Sequence, residues 1–150
     1  MSSALLQIAQ ALVVAMLAPS PQPLAGGRVF LNRARPIAQA DESAIVVTLG
    51  SARATEVVLG GLDWESEIDV ACFVRAASGG GEPAAVVDAL LVQAWERVQT
   101  VSGAAQAMFG PAQLDSLDYD FSDLDSALVS ATLRLRLQHR TTTANLAPWA

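Results

Sequence analysis

Few side chains in this 150-residue sequence have the types and spacing that catalysis or metal binding requires. His139 is its only histidine and Cys72 its only cysteine. A lone imidazole without neighbouring Cys or His residues does not assemble a zinc site, and no partner for acid–base catalysis is identifiable. His139 has the parity of core-facing residues in the last strand, which predicts a histidine at a strand end or an interface. Cys72 alternates with Ile68, Val70 and Val74, which predicts a buried thiol, and a single cysteine forms no disulfide within the chain.

Two other segments contain residues that bind ions in other proteins. The acidic run DSLDYDFSDLD, residues 115–125, lacks the glycine and the glutamate that an EF-hand calcium loop has at its sixth and twelfth positions. The segment GGGEP, residues 79–83, lacks the lysine and the GK[ST] ending of a phosphate-binding loop. We therefore expect no catalytic residues, no cofactor and no metal, and we predict that the chain is not an enzyme.

The most regular pattern is the stretch SALVSATLRLRLQHRTTT, residues 126–143. Apolar residues at 129, 131, 133, 135 and 137 alternate with polar ones, as in a strand with one buried face. Its polar face carries Arg134, Arg136 and Arg140. A second alternating segment, 67–75, presents Glu67 and Asp69 on its own polar face. The opposite charges fit cross-strand pairs within one sheet, or a subunit interface at which a positive strip meets an acidic strip of another copy.

The composition predicts one globular domain, 1–150. It also argues against tight binding of nucleic acid. Hydrophobic residues make up 52% and charged residues 16% of the chain, and the net charge is -6. Such a chain is too apolar to be disordered, and its frequent Pro, Gly and charged residues argue against a membrane bundle. Tight DNA binding needs clustered positive charge, which a net acidic chain disfavours.

The order of elements follows from periodicity and breaker residues. Leu5, Ile8, Leu12 and Met16 predict an amphipathic helix within 1–19, capped by Ser2 or Ser3. The absence of a basic residue before position 28 argues against a secretory signal, and no apolar run is long enough to span a membrane. Next come the strands GRVFLNR and AIVVTLG, the latter buried on both faces, then a hairpin tip or mobile loop over 51–61 and the strand 67–75. The sequence then predicts a helix from residue 83 and a weaker strand over 114–121. The long last strand and a loose tail, 143–150, follow.

These elements predict an α+β fold in the order α-β-β-β-α-β-β. The sheet is expected to be single and mainly antiparallel, with the helices packed on one of its faces.

Taken together, several segments resemble the tail terminator family of long-tailed phages, also called tail completion or minor tail proteins. They are the N-terminal helix, GRVFLNRARPIAQADESAIVVTLG, DWESEIDVACFVRA, AAVVDALLVQAWERV and ALVSATLRLRLQHRT with its threonines, spanning about residues 4–142. The resemblance implies a structural virion protein that forms a ring, commonly a hexamer, on the tail tube. Such a ring stops tail polymerisation and provides the surface for head–tail joining.

The resemblance also implies partners and assembly segments. The partners are further copies of this chain, the tail tube protein and a head–tail connector or neck protein, with no membrane. DNA would pass through the ring only as cargo, and an acidic lumen would let it slide. The location is the head-proximal end of the virion tail, after assembly in the host cytoplasm. The loop 51–61 is expected to be mobile in a monomer and ordered by a partner. The predicted interface residues are Arg33, Arg35 (beside Pro36), Glu67, Asp69, Arg75, Arg134, Arg136 and Arg140.

Two alternatives stay open at this point. A head-closure or neck component would share the virion and the structural role. A small α+β ligand-binding domain or enzyme would need a pocket with converging polar groups.

Overall fold

Within the residues that the structure describes, the chain forms two α-helices and five β-strands. The computed structural model describes residues 2–19, 22–32, 37, 41–75, 82–102, 109–121 and 128–149. The elements are α1 (Ala4–Leu17), β1 (Val29–Leu31), β2 (Ser43–Val58), β3 (Gly61–Arg75), α2 (Pro83–Val101), β4 (Gln113–Asp120) and β5 (Leu128–Thr142), with a short 3₁₀ turn at Leu24–Gly27. This is the predicted α+β order, with the 3₁₀ turn in addition.

The five strands form one sheet in the order β1-β2-β3-β5-β4. β1 pairs with β2 in parallel, whereas the β2–β3, β3–β5 and β4–β5 pairs are antiparallel. The sheet is therefore mixed but mainly antiparallel, and its two edge strands are β1 and β4. The central pair is the longest, since β5 is in register with β3 over the whole length of β3, from Gly61 opposite Thr142 to Arg75 opposite Leu128.

Both helices pack on the same face of the sheet, which we call the helix face; the other is the open face. Ser3 caps α1, as its Oγ accepts a hydrogen bond from the Leu6 backbone N–H at 3.3 Å, and Pro83 occupies the first turn of α2. One hydrophobic cluster joins both helices to the odd-numbered residues of β5 and the even-numbered residues of β3. Its fully buried large members include Ile8, Leu12, Met16, Val87, Val98, Ile68, Val70, Leu133, Leu135 and Leu137. None of the helices in the described part of the chain is long and apolar enough to cross a membrane.

The segment predicted as a hairpin tip or mobile loop is mostly strand. β2 continues to Val58 and pairs with β3, and a two-residue turn at Leu59 and Gly60 closes the hairpin. Gly60 has φ +78°, a conformation that suits glycine in such a turn. Residues 51–57 are exposed, so this part of the hairpin lacks the buried alternation that usually marks a strand. We call residues 51–62 the arm.

A bulge changes the parity of β4. The alternation in the sequence predicts that Leu114 points to one face of the sheet and that Leu117 and Tyr119 point to the other. The register shift between Leu114 and Ser116 adds a residue, so Leu114 pairs with Leu135 while Leu117 pairs with Leu133. Since these partners point to the helix face, the three apolar side chains of β4 share that face.

The C-terminal segment is hydrogen-bonded rather than loose. The Thr142 N–H donates to the Ala147 carbonyl at 2.9 Å, the Trp149 N–H to Arg140 at 3.1 Å, and the Ala4 N–H to Leu146 at 2.9 Å. These bonds fold residues 143–149 back along β5 and join them to the first residue of α1.

Candidate functional site

The arginines of β5 stand on the open face and are paired within the same chain. Arg134 Nε donates to Asp69 Oδ1 at 3.2 Å, from the directly opposite position on β3. Arg140 binds Asp63 through two hydrogen bonds, of 2.5 and 3.0 Å. The hydrogen bond that Arg134 donates to Asp69 raises the pKa of Arg134, and the one that Arg140 donates to Asp63 holds the pKa of Asp63 below its usual range.

Arg136 lies between these pairs and bridges two neighbouring strands. Its Nη2 donates to Asp115 Oδ1 of β4 at 2.7 Å, and its Nε lies 3.8 Å from Glu65 Oε1 of β3. Glu67, the residue directly opposite Arg136, makes no ion pair within 4.0 Å in the described structure. The arginine ladder is thus matched by carboxylates on both sides, which is the cross-strand interpretation of the sequence pattern. Contacts within one chain leave its role toward other copies a prediction.

The remaining predicted interface residues have other positions. Arg75 ends β3, where its Nε donates to the Asp41 carbonyl at 3.2 Å and its Nη2 to the Ile37 carbonyl at 3.1 Å. It ties the backbone of Ile37 and Asp41 to the end of β3. Arg33 and Arg35 lie outside the described residues.

β4 presents an apolar strip at one edge of the sheet. Leu114, Leu117 and Tyr119 are 40%, 45% and 44% exposed, although they point to the same face as the buried leucines of β5. Tyr119 Oη donates to Asp88 Oδ1 of α2 at 2.7 Å, and this hydrogen bond raises the pKa of the phenol. Apart from this bond α2 leaves the strip largely uncovered. In the described part of the chain β4 pairs with β5 alone.

The arm provides a second open edge on the opposite side of the sheet. β1 covers β2 only from Ile45 to Val47, and Asn32 extends this cover to Leu49, whose N–H donates to the Asn32 side chain at 2.9 Å. Beyond Leu49, within the described residues, β2 pairs only with β3. Val57 and Leu59 near the tip are 75% and 99% exposed.

A buried polar pair on the helix face was not expected from the sequence. Ser66 Oγ and His139 Nε2 share a hydrogen bond of 2.8 Å, with Ser66 fully buried and His139 8% exposed. His139 Nδ1 has no partner among the described residues, and burial lowers the pKa of the imidazole. Trp64 Nε1 donates to Thr141 Oγ1 nearby, at 2.9 Å. Because the hydroxyl is inaccessible and no described carboxylate orients the ring, the pair does not have the geometry of a hydrolase triad.

Other candidate sites are weaker. The described residues contain no cluster of three or more His, Cys, Asp or Glu side chains able to hold a metal ion. Cys72 is buried as predicted, and burial raises the pKa of its thiol to about 12, which favours the protonated, unreactive form. A cavity of about 230 Å³ beside His139 is lined mainly by apolar atoms of Ser3, Leu5, Ala52, Trp64, Thr141 and Leu146.

No family model matches the chain, and no curated protein sequence is significantly similar to it. Among solved structures, it is similar to the sheath/tube terminator of an extracellular contractile injection system, PVC, in its extended state. The TM-score is 0.38 and the sequence identity 11%, over 100% of this chain and 62% of that one. This chain therefore spans less than two thirds of that protein's length, and a likeness of this degree carries no argument about function.

Proposed function

We propose that this protein is a structural subunit that forms a homo-oligomeric ring at the end of a phage tail tube. In this role it terminates tube polymerisation and presents a face for head–tail joining. It acts without a cofactor, and DNA crosses the ring as cargo. The proposal rests on the resemblance of the sequence segments to tail terminators and on the surface that the fold presents.

One observation carries the proposal: among the described residues, the sheet has two edges that pair with no further strand, and these edges carry different side chains. A ring requires a heterologous interface, in which each copy contributes two unlike surfaces. The arm, which includes Arg53, supplies one surface, and the β4 edge, with its apolar strip and Asp118, supplies the other. They lie at opposite sides of the strand order, so one copy can engage two neighbours at once.

The arginine ladder supports the same role in a different way. Its charges are matched by Asp63, Asp69 and Asp115 of the same chain. The ladder therefore stiffens the open face, because each pair fixes neighbouring strands to one another. Glu65, Glu67 and Asp118 lie on the same face, which makes it net acidic. Such a face suits stacking on a tube ring better than gripping a polyanion.

A deletion experiment distinguishes termination from the neck alternative. Phage particles that lack this protein are examined by negative-stain electron microscopy, and their tail lengths are compared with wild type. A terminator predicts tails that exceed the normal length and do not join heads. Tails of normal length together with heads that leak DNA would show a neck component instead and contradict the proposal.

A further inference from the structure

The two open edges match each other face by face. Three side chains of the arm point to the helix face: Ala52, Ala54 and Val57. Their register partners on β3, which point to that face, are Ser66, Trp64 and Leu62. The same face of β4 has the apolar strip, Leu114, Leu117 and Tyr119. If the two edges are placed side by side as neighbouring strands, apolar side chains meet apolar side chains on this face.

The other face carries one pair of opposite charges, Arg53 on the arm and Asp118 on β4, and the arm also has the exposed carboxylate Glu56 there, in register with Asp63. Arg53 pairs in register with Glu65 and so points to the open face; it is exposed. Asp118 pairs in register with Thr132 and points to the same face, where it is exposed. A sheet continued from one copy to the next would therefore bring a cation of the arm to a carboxylate of β4.

Arg53 differs from the other described arginines. Arg28, Arg75, Arg97, Arg134, Arg136 and Arg140 each donate to a carbonyl or a carboxylate of their own chain. Arg53 makes no hydrogen bond or ion pair within the described residues. Its charge is available to a partner, in contrast to the ladder.

The strands also have the features that let an edge pair selectively. Charged side chains and bulges discourage unspecific pairing of edge strands. β2 has register shifts between Leu49 and Ala52 and between Ala54 and Glu56, and β4 has one between Leu114 and Ser116. Bulges bend and twist a strand, and curvature is what a closed ring of sheets requires.

We infer that the arm of one copy pairs edge to edge with β4 of the next copy, so that the sheets run on from subunit to subunit around the ring. This inference rests on the proposed ring and names its subunit interface. The open-face contacts are Arg53 with Asp118, and the helix-face contacts are Val57 with the apolar strip.

A charge swap tests the pairing. We propose the variants Arg53→Glu, Asp118→Arg and the double variant carrying both, with Glu42→Arg as a control. Glu42 is exposed and precedes β2, away from both edges. Assembly is measured by native mass spectrometry and light scattering of the purified chain, alone and with tail tube protein, over a range of concentrations. Thermal unfolding of each variant is recorded in parallel.

Each single variant is expected to raise the concentration at which half of the chain is in rings about tenfold or more, since it places like charges together. The double variant restores opposite charges at every interface and is expected to return within about threefold of wild type. The Glu42→Arg control should assemble as wild type. Val57→Ser and Leu117→Ser add no charge beside the ladder. Each should also raise the concentration at which half of the chain is in rings.

The possible failures separate the interface from the function. Wild-type rings that tolerate both single variants, or single variants that the double variant does not rescue, would overturn the edge pairing and leave the ring proposal standing. A wild-type chain that stays monomeric, even with tube protein, would overturn the proposed ring and the edge pairing together.

Discussion

At the scale of single residues, His139 is a titratable group held in mostly apolar surroundings. It ends the row of core-facing residues on β5, is 8% exposed, and has one hydrogen bond, to Ser66. The cavity beside it is lined by Leu5, Ala52 and other uncharged residues of α1, β2, β3 and the C-terminal segment. Protonation would place a charge in this apolar setting with no described counter-ion, which explains the lowered pKa of the imidazole.

We predict that the chain loses stability as the pH falls below about 6.5, the ordinary pKa of histidine. The pKa of His139 is lowered in the folded state, so below 6.5 the unfolded chain binds a proton that the folded chain does not. The stabilisation is complete above that pH and is lost as the pH falls through the folded pKa. It is measured as the urea unfolding midpoint between pH 7.5 and 5.

The variant His139→Gln serves as the comparison, because glutamine can keep a hydrogen bond to Ser66 and does not titrate. His139 is the only histidine, and Arg140 keeps the pKa of Asp63 below its usual range, so Asp63 remains ionised in this window. The variant should show a flatter pH dependence than wild type. Identical slopes for the two proteins would show that His139 does not sense pH.

At the scale of elements, Arg97 of α2 joins the two helices. Its guanidinium donates to the carbonyls of Ala15 and Ala18, both at 2.9 Å, and of Gln22 at 2.8 Å. The last carbonyls of a helix have no partner within it, and they form its negative end. α1 has no basic residue in its own last turn, so the cation comes from the neighbouring helix.

We predict that Arg97→Met lowers the free energy of unfolding by about 1–3 kcal/mol, because it removes charge-assisted hydrogen bonds to the carbonyls of Ala15, Ala18 and Gln22. Methionine keeps much of the apolar stem of arginine, so the change isolates the guanidinium. Chemical denaturation with far-UV circular dichroism measures the difference. Arg97→Lys keeps the positive charge but loses the planar guanidinium, so its free energy of unfolding should lie between those of wild type and Arg97→Met. A methionine variant as stable as wild type would mean that α1 ends equally well without this contact.

Elements within the core could be predicted from the sequence, whereas the exposed ones could not. Leu133 and Leu135 alternate with arginines on a strand that has one buried face, and Ile8 and Leu12 recur at helical spacing, so burial left a readable pattern. The arm pairs with β3 through backbone hydrogen bonds and is not covered by the described helices. Neither of its faces is buried, so its sequence has no such alternation. The bulge in β4 depends on pairing with β5, which no local alternation records.

The candidate site divides in the same way. The opposite charges of Asp69 and Arg134 predicted their shared face, and the structure places them in contact. The Ser66–His139 pair depends on the register of β3 against β5, and two residues 73 positions apart give no local signal. The parity of Ser66 with Ile68 was the available clue, since it placed a hydroxyl on the core side of β3.

At the scale of the whole molecule, the question is whether the ladder or the edges hold neighbouring copies together. Each ladder arginine already contacts a carboxylate of β3 or β4, so a neighbouring copy would have to displace an existing pair. Arg53 has no such pair in the described structure, so on its side a contact would require no exchange, whereas Asp118 already accepts a hydrogen bond from Ser116 at 3.4 Å. The geometry therefore separates a group that holds the sheet together from one that is available for assembly.

We predict opposite results for charge changes at these two places. Arg134→Glu with Arg136→Glu puts like charges beside Asp69, Glu65 and Asp115, which should lower the thermal unfolding midpoint of the protomer. Arg53→Gln, which adds no carboxylate opposite Glu65, should leave that midpoint unchanged and weaken ring formation. Differential scanning calorimetry of dilute monomer and native mass spectrometry of concentrated protein measure the two effects separately.

An internal swap tests the assignment of the ladder. Arg134→Asp with Asp69→Arg keeps the pair across β3 and β5 with its polarity reversed, so it should recover the midpoint lost in Arg134→Asp alone. A neighbouring copy that relied on a positive strip would still lose its contact in the swapped variant. If the swapped chain keeps its midpoint and still closes rings, the ladder serves the protomer. If the Arg134→Glu and Arg136→Glu variant instead unfolds like wild type and forms no rings, the cationic strand face is the subunit contact and the edges are not.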